Sequence, residues 1–289
     1  MTNPVDRAHR RRLRVMSAMA FRESVRDPMI GLSIVSLFVI YLVVIAGIGA
    51  MLTASGTEAP GADPADADPA VVHFFTDHLG AALGLGLMGA GLLGVSVPLV
   101  GMRQRGLLRL LGTTPLPRVT VLIASMPFVF VLGAVEVVIA VVAGTAAGVA
   151  PTGPRIGELI VTAALVLLVT TSFGLLLGSR GSRVESTQGI AAMLPIVLIV
   201  PSEGIFPLTG LPDWLAAGIH ALPNAWIIES LGHGITGQET SLPLPVYWAL
   251  MAGTTAVVLV VAARAFSWDQ GEARSRPAAT THRKVLTHA

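Results

Sequence analysis

The sequence predicts an all-α integral membrane protein. It has six transmembrane helices, an amphipathic N-terminal helix on the membrane surface, and a re-entrant helical segment between the fifth and sixth spans. Three observations predict this. Of 289 residues, 53% are hydrophobic and 12% charged, against roughly 25% charged in soluble domains, and mean hydropathy is +0.74. Apolar runs recur along the chain, most of them near or above the ~20 residues a span needs. Before the last of them lies a stretch too apolar for water and too broken by proline and glycine for one span. The chain has no cysteine, which excludes disulfides and thiolate metal sites.

Residues 1–28 carry seven arginines. Leu13, Met16, Ala20 and Phe21 fall on one side of a helical wheel, with Arg11, Arg14, Arg22 and Arg26 on the other. That pattern predicts a basic amphipathic helix along the cytoplasmic membrane surface, ended by Asp27-Pro28. The first span is 29–52, without a charge and too long for a signal-peptide core of about 7 to 15 residues. From Thr53 to His78 an acidic, proline-containing stretch reads as a surface loop. The second span, 79–102, holds Gly80, Gly84, Gly86, Gly89, Gly91 and Gly94. Such spacing lets helix backbones approach closely and places this span inside a bundle or at a subunit interface.

Residues 103–118 form a basic interruption, R-Q-R-G-L-L-R-L-L-G-T-T-P-L-P-R. Leu107, Leu108, Leu110 and Leu111 line one side of a short helix beginning at Arg103, stopped by Gly112 and Pro115. Such a short helix is not stable alone, so its leucines must bury against the spans, the lipid interface or a partner. The third apolar run, 119–150, exceeds one span and contains Pro127 and Glu136. The fourth span is 159–178. The fifth run, Gly189 to Ser202, is short and becomes a span over 187–207 only by borrowing its neighbours. Segment 204–235 fits two short helices opening at Pro212 and Pro223, since proline suits a first helical position. Trp214 and Trp226 mark it as interfacial or re-entrant. The last span is 244–263, with Trp248 and Trp268 as interface anchors, and 265–289 is a polar tail.

Six spans place both termini on one side. With the N-terminus inside, 18 of the 19 Lys and Arg are cytoplasmic and only Arg155 is outside. The positive-inside rule therefore makes 103–118 and the tail cytoplasmic in a multi-pass protein of the cell membrane. The basic pI of about 9.6 is a topology signal, and nucleic acid is excluded as a partner.

These features carry a resemblance. The amphipathic N-terminal helix, the six spans, a loop of the form basic-x-basic-Gly-x-Leu-x-x-Leu-x-x-Thr-Pro-Leu, and L-P-D-W-L and L-P-N-A-W before the last span resemble the permease subunits of type-2 ABC exporters, including drug-resistance permeases. The similarity runs from about Arg10 to Arg264. It implies a coupling helix on a separate nucleotide-binding subunit, formed here by Arg103, Arg105, Leu107, Leu108, Arg109 and Leu111. It also implies an outer gate containing Pro212, Trp214, Pro223 and Trp226, and a second permease copy, for which the glycine-rich second span offers a packing surface. The residues agree on the division of labour: the only lysine is Lys284, so the chain lacks a phosphate-binding loop. ATP and Mg are expected in the partner ATPase, with no cofactor bound directly.

Glu136 is the remaining candidate. An acid within a span lines a pathway or exchanges protons. Its structural alternatives are a carboxyl hydrogen-bonded to a neighbouring helix, or a group near the outer end of an overlong span. Glu229/His233 and His73/Asp77 are each four residues apart and could meet a metal or act as acid and base, but two ligands do not make a site. The expected function is an ATP-driven exporter's membrane subunit moving an amphiphilic drug, lipid or similar molecule. The alternatives are a proton-coupled secondary transporter using Glu136 and a membrane-embedded enzyme or assembly factor.

Overall fold

The computed structural model describes residues 28–54, 70–107, 126–149, 151–199 and 212–265. Among them there is no strand, and the helices are α1 (Pro28–Ala54), α2 (Ala70–Gln104), α3 (Met126–Ala146), α4 (Gly153–Arg180), α5 (Val184–Ile199), α6 (Asp213–His220), α7 (Pro223–Thr236) and α8 (Leu244–Ala265). Four of the helices are long and apolar enough to cross a membrane, over Phe74–Gln104, Met126–Ala146, Gly153–Arg180 and Leu244–Ala265. The 27-residue α1 and the 16-residue α5 stand where the first and fifth spans were expected. The predicted amphipathic helix, the tail beyond residue 265 and the 204–211 part of the expected gate segment lie outside the described residues.

Helix limits differ from the apolar runs in a consistent way. The second helix begins at Ala70, so 70–78, expected as loop, is helical. The fourth begins at Gly153, with proline in its first turn, rather than at 159. Hydropathy marks only the part that suits lipid, whereas backbone hydrogen bonds continue outward with Asp77, Arg155 and Glu158 on the added turns. At ~1.5 Å per residue, the 35 residues of α2 exceed a hydrocarbon core of about 30 Å. The third run is shortened instead: α3 ends at Ala146, and Gly148 N–H bonds to Thr145 O while Val149 N–H bonds to Gly144 O, turning the chain.

The bundle is built around α2, which packs on α1, α3, α4, α5 and α7. Its span is 94% buried, against 28% for α3 and α8. Glycines account for that enclosure by facing different neighbours. A Cβ on Gly80 would lie 2.6 Å from the Gly232 backbone of α7, and one on Gly91 would lie 2.6 Å from Thr170 Cβ and 2.8 Å from Thr171 N of α4. Across the same crossing, a Cβ on Gly174 would meet Gly91 O at 2.6 Å. Helices this close gain dispersion contacts over long stretches, the main attraction where hydrocarbon surrounds the bundle. The second span is thus inside the bundle, and its own helices cover the surface expected to receive a second copy. Aliphatic side chains face outward instead, including Val43 of α1, Val138 of α3, Met193 of α5 and Val257 of α8.

Candidate functional site

At one end of α2 the coupling segment begins differently from its sequence expectation. Arg103 and Gln104 are the last residues of α2 rather than the first of a new helix. Gly106 then takes φ +72°, a left-handed turn that disfavours a side chain. Arg103 points inward, 9% exposed. Its Nη1 donates to Gly178 O at 3.0 Å and Gly181 O at 2.9 Å, carbonyls at the C-terminal end of α4, while Gln104 Nε2 donates to Ser182 O at 3.3 Å. A guanidinium on the last carbonyls of a helix satisfies orphan acceptors and complements the helix dipole. The ends of α2 and α4 are therefore joined where the chain departs. Arg105 and Leu107 follow on the surface, whereas Leu108, Arg109 and Leu111 lie outside the described residues. Arg103→Met should lower the stability of the purified chain by about 2 kcal/mol, the scale of lost charge-assisted bonds, in thermal unfolding. Arg103→Lys, which presents a single ammonium in place of the two-pronged guanidinium, should recover part of that loss.

Glu136 occupies the midpoint of α3, ten residues from either end, and is fully buried. Neither carboxyl oxygen has a hydrogen-bond partner among the described residues. A position near a helix end does not hold for it, and no hydrogen bond to a neighbouring helix is found among the described residues. The run that suggested an off-centre position is longer than the helix it forms.

The gate segment is fixed at the opposite end of the bundle. Pro223 opens α7, and Leu222 before it is extended; α6 begins at Asp213, directly after exposed Pro212. Trp226 Nε1 donates to His220 O at 2.8 Å, closing the joint between α6 and α7, and Asn224 Nδ2 donates to Leu198 O of α5 at 2.5 Å. Trp214 is 75% exposed.

Glu229 of α7 accepts from Tyr247 Oη of α8 at 2.7 Å and from Ser241 N–H, and Tyr247 Oη accepts from Leu242 N–H at 3.2 Å. His233 Nδ1 meets Gln238 O at 2.7 Å, and its Nε2 lies 3.7 Å from Glu158 of α4. Gln238 Nε2 donates to Asp77 of α2 at 3.2 Å. Gly237, with φ +81°, ends α7 against the guanidinium of Arg155. Trp248, expected as an interface anchor, turns its N–H inward to buried Thr162 Oγ1 at 2.9 Å. Tyr247, Thr162 and Asn224 were not singled out from the sequence. A phenol at the head of the last span and an asparagine after Pro223 were the available signals.

Of the two four-residue pairs, the described contacts separate Glu229 from His233. Glu229 serves Tyr247 and Ser241 while His233 faces Glu158, and Asp77 serves Gln238. No group of three metal-binding side chains occurs among the described residues. A groove of about 490 Å³ between α3 and α4, lined by apolar residues such as Phe130, Val138, Ile160 and Leu167, opens on the outward hydrocarbon face.

The described residues thus place a central helix joined to α4 at one end, the helix α7 tied to α2, α4 and α8 at the other, and a buried acid between. No curated protein matches the chain. The family model described as ABC-2 type transporter matches residues 11–235, a region that takes in α1 to α6 and all but the last residue of α7, and the chain belongs to that family.

Proposed function

We propose that this chain is the membrane-spanning permease subunit of an ATP-driven exporter in the cell membrane. It has six spans with both termini cytoplasmic, works with a second permease copy, and moves an amphiphilic substrate outward. The observation that carries this reading is the family match over 11–235. ABC-2 permease domains are transmembrane components that are not themselves ATPases and work with ABC ATPase partners. The single lysine at position 284 agrees, because no phosphate-binding loop can be built from this sequence.

In this reading the Leu107, Leu108 and Leu111 face, flanked by Arg105 and Arg109, lies in a groove of the ATPase that binds ATP and Mg. Arg103 acts one step behind that contact. Its bonds to the end of α4 pass a push on the loop to two helices at once, and α2 carries it to the gate helix α7. Segment 204–235, with Pro212, Trp214, Pro223 and Trp226, is the outer gate. A second copy meets the outward aliphatic faces rather than the enclosed glycine-rich α2.

The test is co-purification with a co-expressed ABC ATPase. Leu108→Asp and Arg109→Glu together should reduce complex recovery at least tenfold while leaving the permease inserted and folded. An unchanged complex with normal ATPase stimulation would remove the coupling assignment. Uncoupler-sensitive transport without any ATPase would replace the whole reading with a secondary transporter.

A further inference from the structure

Gly86 is the third enclosing glycine of α2, and its bare backbone faces neither α4 nor α7. A Cβ there would lie 3.1 Å from Glu136 Cδ and Oε2 and 3.0 Å from Phe38 Cβ. The Glu136 carboxyl of α3 and the Cβ of Phe38 of α1 therefore close over the Gly86 backbone, leaving less room than a methyl group needs. The carboxyl is fully buried and both its oxygens lack a hydrogen-bond partner among the described residues. Such a group carries a standing free-energy cost inside hydrocarbon, and a ligand supplying donors would offset it.

The chemistry of that ligand follows from what is missing and what surrounds it. The vacancy is for hydrogen-bond donors, with about four lone-pair sites on the carboxylate. An ammonium supplies three donors and a complementary charge in one compact group. The walls are hydrocarbon: Phe38 lies alongside, and Leu87 and Val129 are among the fully buried residues of the adjoining core. A sugar-rich ligand would leave most of its hydroxyls unpaired there, at a cost for each, and an anion would meet the carboxylate with like charge.

Access follows from how α1 is seated. It packs extensively on α2 and only lightly on α3, where a Cβ on Gly31 would lie 3.8 Å from Phe128 Cζ and 3.9 Å from Leu132 Cδ2. Its far side, with Val39, Ile40 and Val43, is exposed and apolar. A lateral shift of α1 would uncover the carboxyl from the hydrocarbon side without parting the tight glycine crossings of α2 with α4 and α7.

We infer that Glu136 is the recognition point for the positively charged amine of an amphiphilic substrate, received between α1 and α3 once a shift of α1 opens the contact over Gly86. This rests on the exporter reading, to which it adds a substrate class and an entry seam.

The test is equilibrium binding of dansylcadaverine and of its N-acetyl derivative, which has no charged amine, to the full-length chain in phospholipid nanodiscs, read by dansyl fluorescence. The wild-type chain should bind the amine at least tenfold more tightly than the acetylated probe. Glu136→Gln should abolish that preference while retaining the weaker binding of the acetylated probe, with an unfolding midpoint close to wild type. Glu136→Asp should keep part of the preference. Equal binding of the two probes by the wild type, or a preference that survives Glu136→Gln, would overturn the inference. If the preference behaves as expected but dansylcadaverine fails to stimulate hydrolysis by the co-expressed ABC ATPase, the amine site stands and the exporter reading falls.

Discussion

Gly91→Val should lower the thermal unfolding midpoint of the purified chain by about 5 °C. The new side chain would enter the crossing of α2 and α4, where even a Cβ would stand 2.6 Å from Thr170 Cβ and 2.8 Å from Thr171 N. Gly174 closes the crossing from the other side, with Gly91 O 2.6 Å from where its Cβ would be. The obstacle on both sides includes backbone, which no rotamer change can move, so the helices must part. Overpacking of this kind costs about 3 kcal/mol, and that converts to roughly 5 °C for a chain of this size.

Gly253→Ala is the matched control. It lies on α8 with nothing within 4 Å of its Cβ position, and alanine is the better helix former by about 1 kcal/mol, so the midpoint should hold or rise slightly. A loss in Gly253→Ala equal to that of Gly91→Val would show that the α2–α4 crossing does not set the outcome.

Glu229→Leu should have the second largest effect, at the gate end of the bundle. It would leave Ser241 N–H and Tyr247 Oη without their shared acceptor. Hydrogen bonds to a charged group are worth about 1.5–3 kcal/mol, and unfolding measurements should show a loss in that range. Tyr247→Phe removes one arm of the same network. The double variant should therefore be less destabilised than the sum of the singles, with a coupling of about 1 kcal/mol.

Function should respond more strongly than stability. The Glu229 contacts join α7 to α8, and those of His233 and Gln238 join it to α4 and α2, so a gate helix freed from them would no longer follow the central helix. Substrate-stimulated transport by the complex should fall several-fold in Glu229→Leu while ATP hydrolysis continues. Strictly additive single effects, or transport at the wild-type level, would show that the network is passive.

Much of the helical framework was legible in the sequence because each element is a local property. Runs such as 29–52 and 244–263 match α1 and α8 within a few residues, and Pro223 marks the first residue of α7. The Gly80 to Gly94 series announced a span that lets its neighbours come close. What the sequence misplaced were ends: α2 extends through 70–78 because polar side chains there can enter water while the backbone keeps its hydrogen bonds, and α3 is shorter than its run because Gly148 takes a left-handed turn at φ +86°.

The candidate site was less legible, for a reason specific to membranes. Lipid tails are as apolar as a leucine core, so composition does not separate a face that meets lipid from one that meets another helix. Arg103 looked like part of a basic docking surface because it sits among arginines, and its contact with Gly178 lies 75 residues away. Glu229 was paired on paper with His233, four residues on, yet it bonds Tyr247 across the linker to α8.

The sequence by itself determined the membrane class, the positions of most helices and the lack of an internal ATP site, since hydrophobicity, proline position and the count of lysines need no knowledge of neighbours. Only the tertiary structure decided that α2 is the enclosed centre, that Arg103 closes the end of α4, that Glu136 lies mid-bundle against Gly86 without a hydrogen-bond partner among the described residues, and that α7 is tied at three sides. Each of these depends on which distant segments meet, and that is set by the shape of facing surfaces, above all by where a missing Cβ lets two backbones touch.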